Sequence, residues 1–351
     1  MKKFLSCFVA MMLIVALGVE GQVVDNANDF LELGGFAASQ SLGNSDIALV
    51  KGSEAAILDP SGLVDGGAEL DFAVLHNRYM SGMATQNIVS AAYRTDSLTA
   101  FGASLLRVGV DDIQNTLHLF DSDGQIDYSR ISYFSVADYA LFLSVGRRLE
   151  RLQGLSVGAN VKLIYRHEGD FANAYGFGVD IGARYMKGRL SCAAVLYDAA
   201  TTFDFWSVDA SEFDSSYIVT GNSIPVSRLE QRSPSIAFSS AYVFGNEVFR
   251  TTVTASLRTC FGYNTSYVVH SDFASVAPSA GVELSFRDVV SLRGGISDFQ
   301  YDDLRSISHK ASARPSVGAG LRLHGFRTDY AFFFSGAMGA GSNVFTVGWG
   351  R

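Results

Sequence analysis

The stretch Ala174-Tyr175-Gly176-Phe177-Gly178-Val179-Asp180-Ile181-Gly182-Ala183-Arg184-Tyr185-Met186 decides the fold. Taken at every second position it separates into two sets. Tyr175, Phe177, Val179, Ile181, Ala183 and Tyr185 form an apolar set; Gly176, Gly178, Asp180, Gly182 and Arg184 form a small or charged one. Successive side chains of a β-strand point to opposite faces, so the segment predicts a strand with one greasy and one polar side. Tyrosines mark both ends of the greasy side. A strand that crosses a bilayer in a barrel has this profile: lipid outside, polar lumen inside, an aromatic girdle at each interface.

Other segments repeat the pattern. Leu155, Val157, Ala159, Val161, Leu163 and Tyr165 share one parity, with Asn160, Lys162 and Arg166 on the other. Phe249, Val253 and Leu257 oppose Arg250 and Arg258; Val317, Leu321 and Leu323 oppose Arg322 and His324; Phe326, Tyr330, Phe332 and Phe334 oppose Asp329. An Arg or Lys on the lipid side would cost about 2–4 kcal/mol at the midplane, so the greasy parity of these segments is kept free of charge. About fourteen strands are expected, near 68–76, 87–94, 98–109, 137–149, 154–168, 174–186, 189–199, 233–245, 247–261, 276–287, 288–299, 314–324, 326–337 and 343–350. Tight turns at 95–97, 151–153, 187–188, 245–246, 287–288 and near Gly325 alternate with longer links at 77–86, 110–136, 200–232, 262–275, 300–313 and 338–342. The link at 169–173 is the short exception. Short turns on one side and long loops on the other are the signature of an outer-membrane barrel.

Composition agrees. Apolar residues make up 48% of 351 residues, with 35 glycines against 5 prolines, yet no apolar run beyond the N-terminus is long enough for a spanning helix. The chain opens Met1-Lys2-Lys3 followed by an apolar run to Val19, which predicts a signal peptide over 1–21 cut between Gly21 and Gln22. Residues 22–67 are broken by Gly34-Gly35, Gly43-Asn44 and Pro60 and read as a small N-terminal plug with a helix or two. The barrel then occupies 68–351. A net charge of -8 excludes nucleic acid as a partner. Cys192 and Cys260 fall on opposite parities, so no disulfide is expected. The histidines have no paired ligand spacing, and Asp121-Ser122-Asp123-Gly124 with Asp127 lacks the full calcium-loop spacing, so neither metal nor cofactor is expected. No nucleophile elbow or phosphate loop marks an enzyme.

The inward set holds Lys162, Arg166, Asp180, Arg184, Arg250, Arg258, Glu283, Arg293, Arg322 and Asp329. Two readings are open: a polar path for a solute, or an ion-pair network tying the wall to the plug. Links 110–136 and 200–232 carry Phe120, Phe203, Phe205, Trp206 and Tyr217. These are candidate partner-contact residues, or a lid of loops folded over one another.

The run Phe30-Leu31-Glu32-Leu33-Gly34-Gly35-Phe36-Ala37-Ala38, continuing to Ala48, and Asp59-Pro60-Ser61-Gly62-Leu63 resemble the N-terminus of the PorV/PorQ family of Bacteroidetes. Phe101-Gly102-Ala103-Ser104, Val110 to Thr116, Gly154 to Lys162, Gly169-Asp170-Phe171-Ala172 and Thr220 to Pro225 are similar to its PorV2 subgroup. Asp59 stands where that family has Asn, Ser61 where it has Ala, and Ser39-Gln40 where it has Arg-Ala. The resemblance makes Gly34, Gly35, Asp59 and Pro60 a plug motif. It implies a fourteen-stranded antiparallel transmembrane barrel akin to the FadL fatty-acid channel, in the outer membrane and in contact with its lipid. It also implies association with type IX secretion, as a platform or shuttle that binds the C-terminal signal domains of cargo. The alternatives are a FadL-like channel for small hydrophobic solutes and a purely structural surface barrel. A channel predicts a continuous apolar groove from an outside loop to a gap in the wall near a plug residue; a shuttle predicts a rigid, exposed apolar patch on the loops with a blocked lumen.

Overall fold

The computed structural model describes residues 28–117, 119, 125–209, 211, 226–261, 269–271, 274–302, 310–335 and 340–351. The signal-peptide expectation, Phe120 and Tyr217 lie outside them. No described helix is long and apolar enough to cross a membrane. The alternating segments instead form fourteen antiparallel strands closed into a barrel. They are β1 (Leu70–Tyr79), β2 (Ala84–Arg94), β3 (Thr99–Asn115), β4 (Ser132–Arg148), β5 (Leu155–Glu168) and β6 (Ala172–Lys187). Next come β7, in two pieces (Leu190–Tyr197 and Thr202–Val208), and β8, also in two pieces (Leu229–Arg232 and Ser235–Gly245). The rest are β9 (Phe249–Phe261), β10 (Ala274–Phe286), β11 (Val290–Asp302), β12 (Lys310–Leu323), β13 (Phe326–Ser335) and β14 (Ala340–Gly350). The ladder between β1 and β14 runs from Asp71 opposite Gly350 to Arg78 opposite Asn343 and closes the cylinder. Closure leaves no free sheet edge, the condition under which strands enter lipid.

The outer face is apolar and bare. Val161, Leu163, Ile181, Phe238, Leu257, Leu292, Val317 and Phe345 are among its exposed large side chains. Aromatic rings line both ends. At the tight-turn end Phe72 stacks on Trp349 with centroids 6.4 Å apart, and Phe249 meets Phe286 at 5.0 Å. At the other end Tyr139, Tyr165 and Tyr175 form a row with spacings of 6.0 and 5.2 Å. Cys192 lies on the outward face and Cys260 on the inward one, and both are free thiols.

Several links differ from expectation. The connection from β1 to β2 is only Met80–Met83, because the outward positions His76, Arg78, Thr85 and Asn87 are polar and hid the strand ends. β3 and β4 run on to Asn115 and from Ser132, past a bulge between Val110 and Ile113. The segment 200–232, expected to be a loop, contains wall: Thr202–Val208 pairs with β6, and Leu229–Arg232 pairs with Thr202–Val208 in turn. Its inward positions Asp204, Glu230 and Arg232 are buried, so the usual polar-loop reading failed there.

Residues 28–66 lie inside the cylinder. They form 3-10 turns at Asp29–Glu32, Gly52–Glu54 and Pro60–Asp65, with short helices α1 (Ala37–Ser41) and α2 (Ala55–Leu58). Phe30, Phe36, Ile57 and the inward Leu75, Ile88, Leu106, Phe142 and Phe333 make one buried cluster; Ala55, Ala56, Leu63 and Val64 make another with Ala92 and Ala100. Wall glycines let the two backbones meet. A β-carbon at Gly158 would overlap Pro60, and one at Gly146 would lie 2.6 Å from the Pro60 carbonyl oxygen. On the far wall Gly281 and Gly295 make the same room for Leu42 and Gly43.

Candidate functional site

Two features of the inward face converge: a charge network that ties segment to wall, and a break in the wall. The network starts at Asp59. Its carboxylate accepts from the Ser61 amide at 3.0 Å and the Ser61 hydroxyl at 2.6 Å, capping the turn Pro60–Asp65. The second oxygen accepts from Arg184 Nε at 3.0 Å and Nη2 at 2.7 Å. Arg184 also donates to the Ile47 carbonyl at 2.8 Å, and its side chain is 1% exposed. Nearer the tight-turn end Arg148 pairs with Asp65 at 2.7 Å, and Arg327 binds Glu54 and Asp71, each at 2.7 Å. Gly34 has φ +99, a conformation side chains disfavour, and its carbonyl accepts from Gln86 Nε2 at 3.0 Å. Gly35 packs on Leu58.

The break lies in β7. Ile181 of β6 faces Leu196 and Phe177 faces Phe203, so four steps on β6 oppose seven on β7. The surplus residues bulge inward through Asp198 (φ 54) and Thr201 (φ 61). On the other flank Tyr197 pairs with Ser235 and Thr202 with Arg232, so the ladder skips residues 198–201 and 233–234. Pro234 has no N–H to give. Lys162 clamps the bulge. Its ammonium meets Asp180 at 2.7 Å and also binds Asp198, with all three side chains under 4% exposed. Thr202 donates to Asp198 at 2.5 Å, the Asp198 amide donates to Asp180 at 2.8 Å, and Arg232 Nε stands 3.4 Å away.

A cavity of about 130 Å3 lies between this bulge and the N-terminal segment. Leu31, Ile57 and Leu58 line it from the segment, and Phe142, Tyr197 and Pro278 from the wall. The Tyr197 hydroxyl donates to the Leu58 carbonyl at 2.7 Å. The charged side chains that share the lining are paired with one another. Arg232 binds Glu32 and lies 3.2 Å from Asp29, while Arg258 lies 3.3 Å from Glu32 and stacks 4.7 Å over Tyr197. Burial drives the Glu32 carboxyl up, but Arg258 and Arg232 outweigh it and hold it below the usual range. Charges neutralised in pairs leave the apolar floor as the surface open to a guest.

The structure brings some of the sequence-derived residues together and not others. Lys162, Asp180, Arg184 and Arg258 join the segment or the cavity. Arg166 binds Asp138 at 2.8 Å and stacks 4.9 Å from Trp206. Arg293 bridges Glu283 and Asp329 at 2.5 Å each, away from the bulge. Arg250 pairs with Asp288 at an exposed turn, and Arg322 is exposed with no ion pair among the described residues. These two are end groups because they lie next to the tight turns, where water reaches the inward face. Phe203, Phe205 and Trp206 stand on β7 and not on a loop. Phe203 packs on Phe177, Phe205 faces out, and Trp206 faces in. Asp198, Arg232 and Arg327 were missed. Asp198 sits where alternation fails, and that failure was the available signal.

Comparison with known proteins bears on the fold. No family model matches the chain, and no curated protein does. Solved structures share its fold at low identity. The CymD monoaromatic hydrocarbon channel aligns over 90% of this chain and 97% of its own at 11% identity and a TM-score of 0.57. The toluene transporter TodX of Pseudomonas putida aligns over 93% and 98% at 14% identity, also at 0.57. The toluene transporter TbuX of Ralstonia pickettii aligns over 90% and 98% at 12% identity and 0.52. The fold of this chain is therefore the closed fourteen-stranded barrel of these channels.

Proposed function

We propose that this protein is an outer-membrane conduit for small hydrophobic solutes. The observation that carries the reading is the cavity: an apolar floor of Leu31, Ile57, Leu58, Phe142 and Pro278 adjoins the break at 198–201. A break beside the N-terminal segment supports this reading, although the bulge keeps one backbone bond to β6, from the Ala199 amide to the Val179 carbonyl at 2.8 Å. By volume alone, about 130 Å3 suits a guest of one ring, since a cavity of roughly 150 Å3 accepts benzene. The N-terminal segment acts as a plug. It is seated against wall glycines on two sides and pinned by Arg184, which favours a path from the outer end through the cavity and sideways to the break. The bare outer face with two aromatic girdles supports an outer-membrane location.

The association with type IX secretion draws on the resemblance alone, and the two functional readings exchange rank. Three of the five candidate contact aromatics, Phe203, Phe205 and Trp206, stand in the wall, so these three add nothing to the loop patch a shuttle needs.

Reconstituted liposomes test the reading. Labelled toluene is expected to equilibrate faster with the protein present, and Ile57→Trp, which fills the cavity, is expected to abolish the gain. Equal rates for loaded and empty liposomes refute a conduit. A deletion strain that fails to export proteins with C-terminal signal domains while taking up toluene normally would restore the secretion reading.

A further inference from the structure

The outer wall is not uniformly greasy. On β5 the outward apolar run extends from Leu155 to Tyr165, on β6 from Tyr185 to Tyr175, and on β13 from Phe326 to Phe334 with Thr328 inside it. On β1 the run stops at Val74, and the next outward side chains are His76 and Arg78. On β2 it stops at Val89, with Asn87 and Thr85 beyond; on β3 at Leu105, with Arg107 beyond; on β14 at Phe345, with Asn343 beyond. A strand tilted by ~40° climbs about 2.5 Å along the barrel axis per residue. The run on β5 is then about 25 Å tall, the height of a full apolar band, while that on β1 is about 10 Å. The polar positions of β14, β1, β2 and β3 therefore start short of the top of the apolar band, and Arg107 stands opposite Tyr139 of the aromatic row at that end.

These positions adjoin one another. His76 stands opposite Asn87, which stands opposite Arg107; Arg78 lies between Thr85 and Asn343. His76 Nδ1 and Asn87 Oδ1 are 2.8 Å apart. Arg107 lies 6.0 Å over the Tyr139 ring, 3.5 Å from the Thr85 hydroxyl and 3.6 Å from Asp111. Arg78 is exposed beside Gly82 and makes no hydrogen bond or ion pair among the described residues. Two arginines thus face one carboxylate. An arginine without a counter-charge beside the aromatic row stands at the level of lipid headgroups and is open to an anion.

We propose that this patch binds the phosphate of an outer-leaflet lipid. Arg78 and Arg107 supply the charge, Asn87, Thr85 and His76 supply further hydrogen bonds, and the short apolar run below fits the lipid's chains. Guanidinium forks suit phosphate oxygens in a way a lone ammonium does not. A second copy of the chain fits poorly, because a twofold interface here would face Arg78 and Arg107 with their own kind. The site rests on the outer-membrane location proposed above, but not on transport.

Native mass spectrometry of the full protein in detergent tests it, with diphosphoryl lipid A as probe and dephosphorylated lipid A and inorganic pyrophosphate as controls. One diphosphoryl lipid A is expected to stay on each barrel, and the dephosphorylated lipid is not. The double variant Arg78→Gln/Arg107→Gln is expected to bind about tenfold or more weakly. Arg151→Gln, exposed at a tight turn, is expected to bind as wild type. Heat-shifted gel mobility verifies that the variants are folded, and Arg78→Lys/Arg107→Lys is expected to lose affinity despite keeping charge. Equal retention of the dephosphorylated lipid, equal binding by the Gln variant, or displacement by pyrophosphate as effective as by lipid would overturn the proposal. So would a dimer that the Gln variant dissociates. Loss of toluene transport with lipid A binding intact would sink only the conduit.

Discussion

Replacing Asp59 by Asn isolates the pin between segment and wall. Asparagine keeps an oxygen to accept from the Ser61 amide, so the cap of Pro60–Asp65 survives in outline. It removes the counter-charge of Arg184, whose side chain is 1% exposed and whose other acidic neighbour, Asp65, stands at 3.6 Å. Breaking one partner of a buried pair costs roughly 3–5 kcal/mol. The remaining contacts of Arg184 to Asp65 and the Ile47 carbonyl place this case at the low end, about 3 kcal/mol. At about 1.4 kcal/mol per decade that is ~100-fold in the opening of the segment. The barrel's own ladders are untouched, so the effect is local. Hydrogen exchange on residues 47–65 reads it directly: protection is expected to fall by about two decades there and to hold in β4 to β6. The double variant Asp59→Leu/Arg184→Met, which removes both charges, is expected to recover most of the protection. Unchanged exchange in Asp59→Asn would refute the claim that this pair fixes the segment.

Gly158→Ala sets a methyl against the Pro60 backbone, which no side-chain rotation can relieve; docking of the segment is expected to weaken by about 1–3 kcal/mol, while Gly67→Ala, with open space around it, leaves proteolysis of the segment unchanged. Asp46 gives a pH test. Burial pushes its carboxyl up to about 6, well above the ordinary aspartate range, although the Ser39 hydroxyl donates to it at 2.9 Å. The folded form holds its proton where the unfolded form has lost it. Docking is thus strongest below about pH 4, weakens as pH rises toward 6, and stays weaker above by about 3 kcal/mol. Asp46→Asn is expected to flatten that slope, leaving the part due to Glu54 and Asp29, whose carboxyls burial also raises, and to dock more firmly than wild type at pH 7; wild-type protection factors for the segment that stay constant from pH 4.5 to 7.5 would contradict it.

The barrel was legible because lipid imposes a rule on every strand. Each outward position of 155–165, 175–185 and 326–334 had to be apolar or nearly so, and a period of two survives translation into one dimension. The strand ends at His76, Arg78, Asn87 and Arg107 were not legible, since there the rule lapses. Charge on the inward face was equally readable: Lys162, Asp180 and Arg184 follow from parity alone. Their partners did not. Asp59 lies 125 residues from Arg184, and Glu32 lies 200 residues from Arg232. Only the closed cylinder, by folding the N-terminal segment into its own lumen, makes these neighbours. The break at 198–201 belongs to tertiary structure as well. A bulge is defined by the strands beside it; in sequence Asp198 to Thr202 shows only that alternation stops, not that the chain folds inward there. Periodicity fixes which way a side chain points; what it meets there depends on closure, and closure is a property of all fourteen strands together.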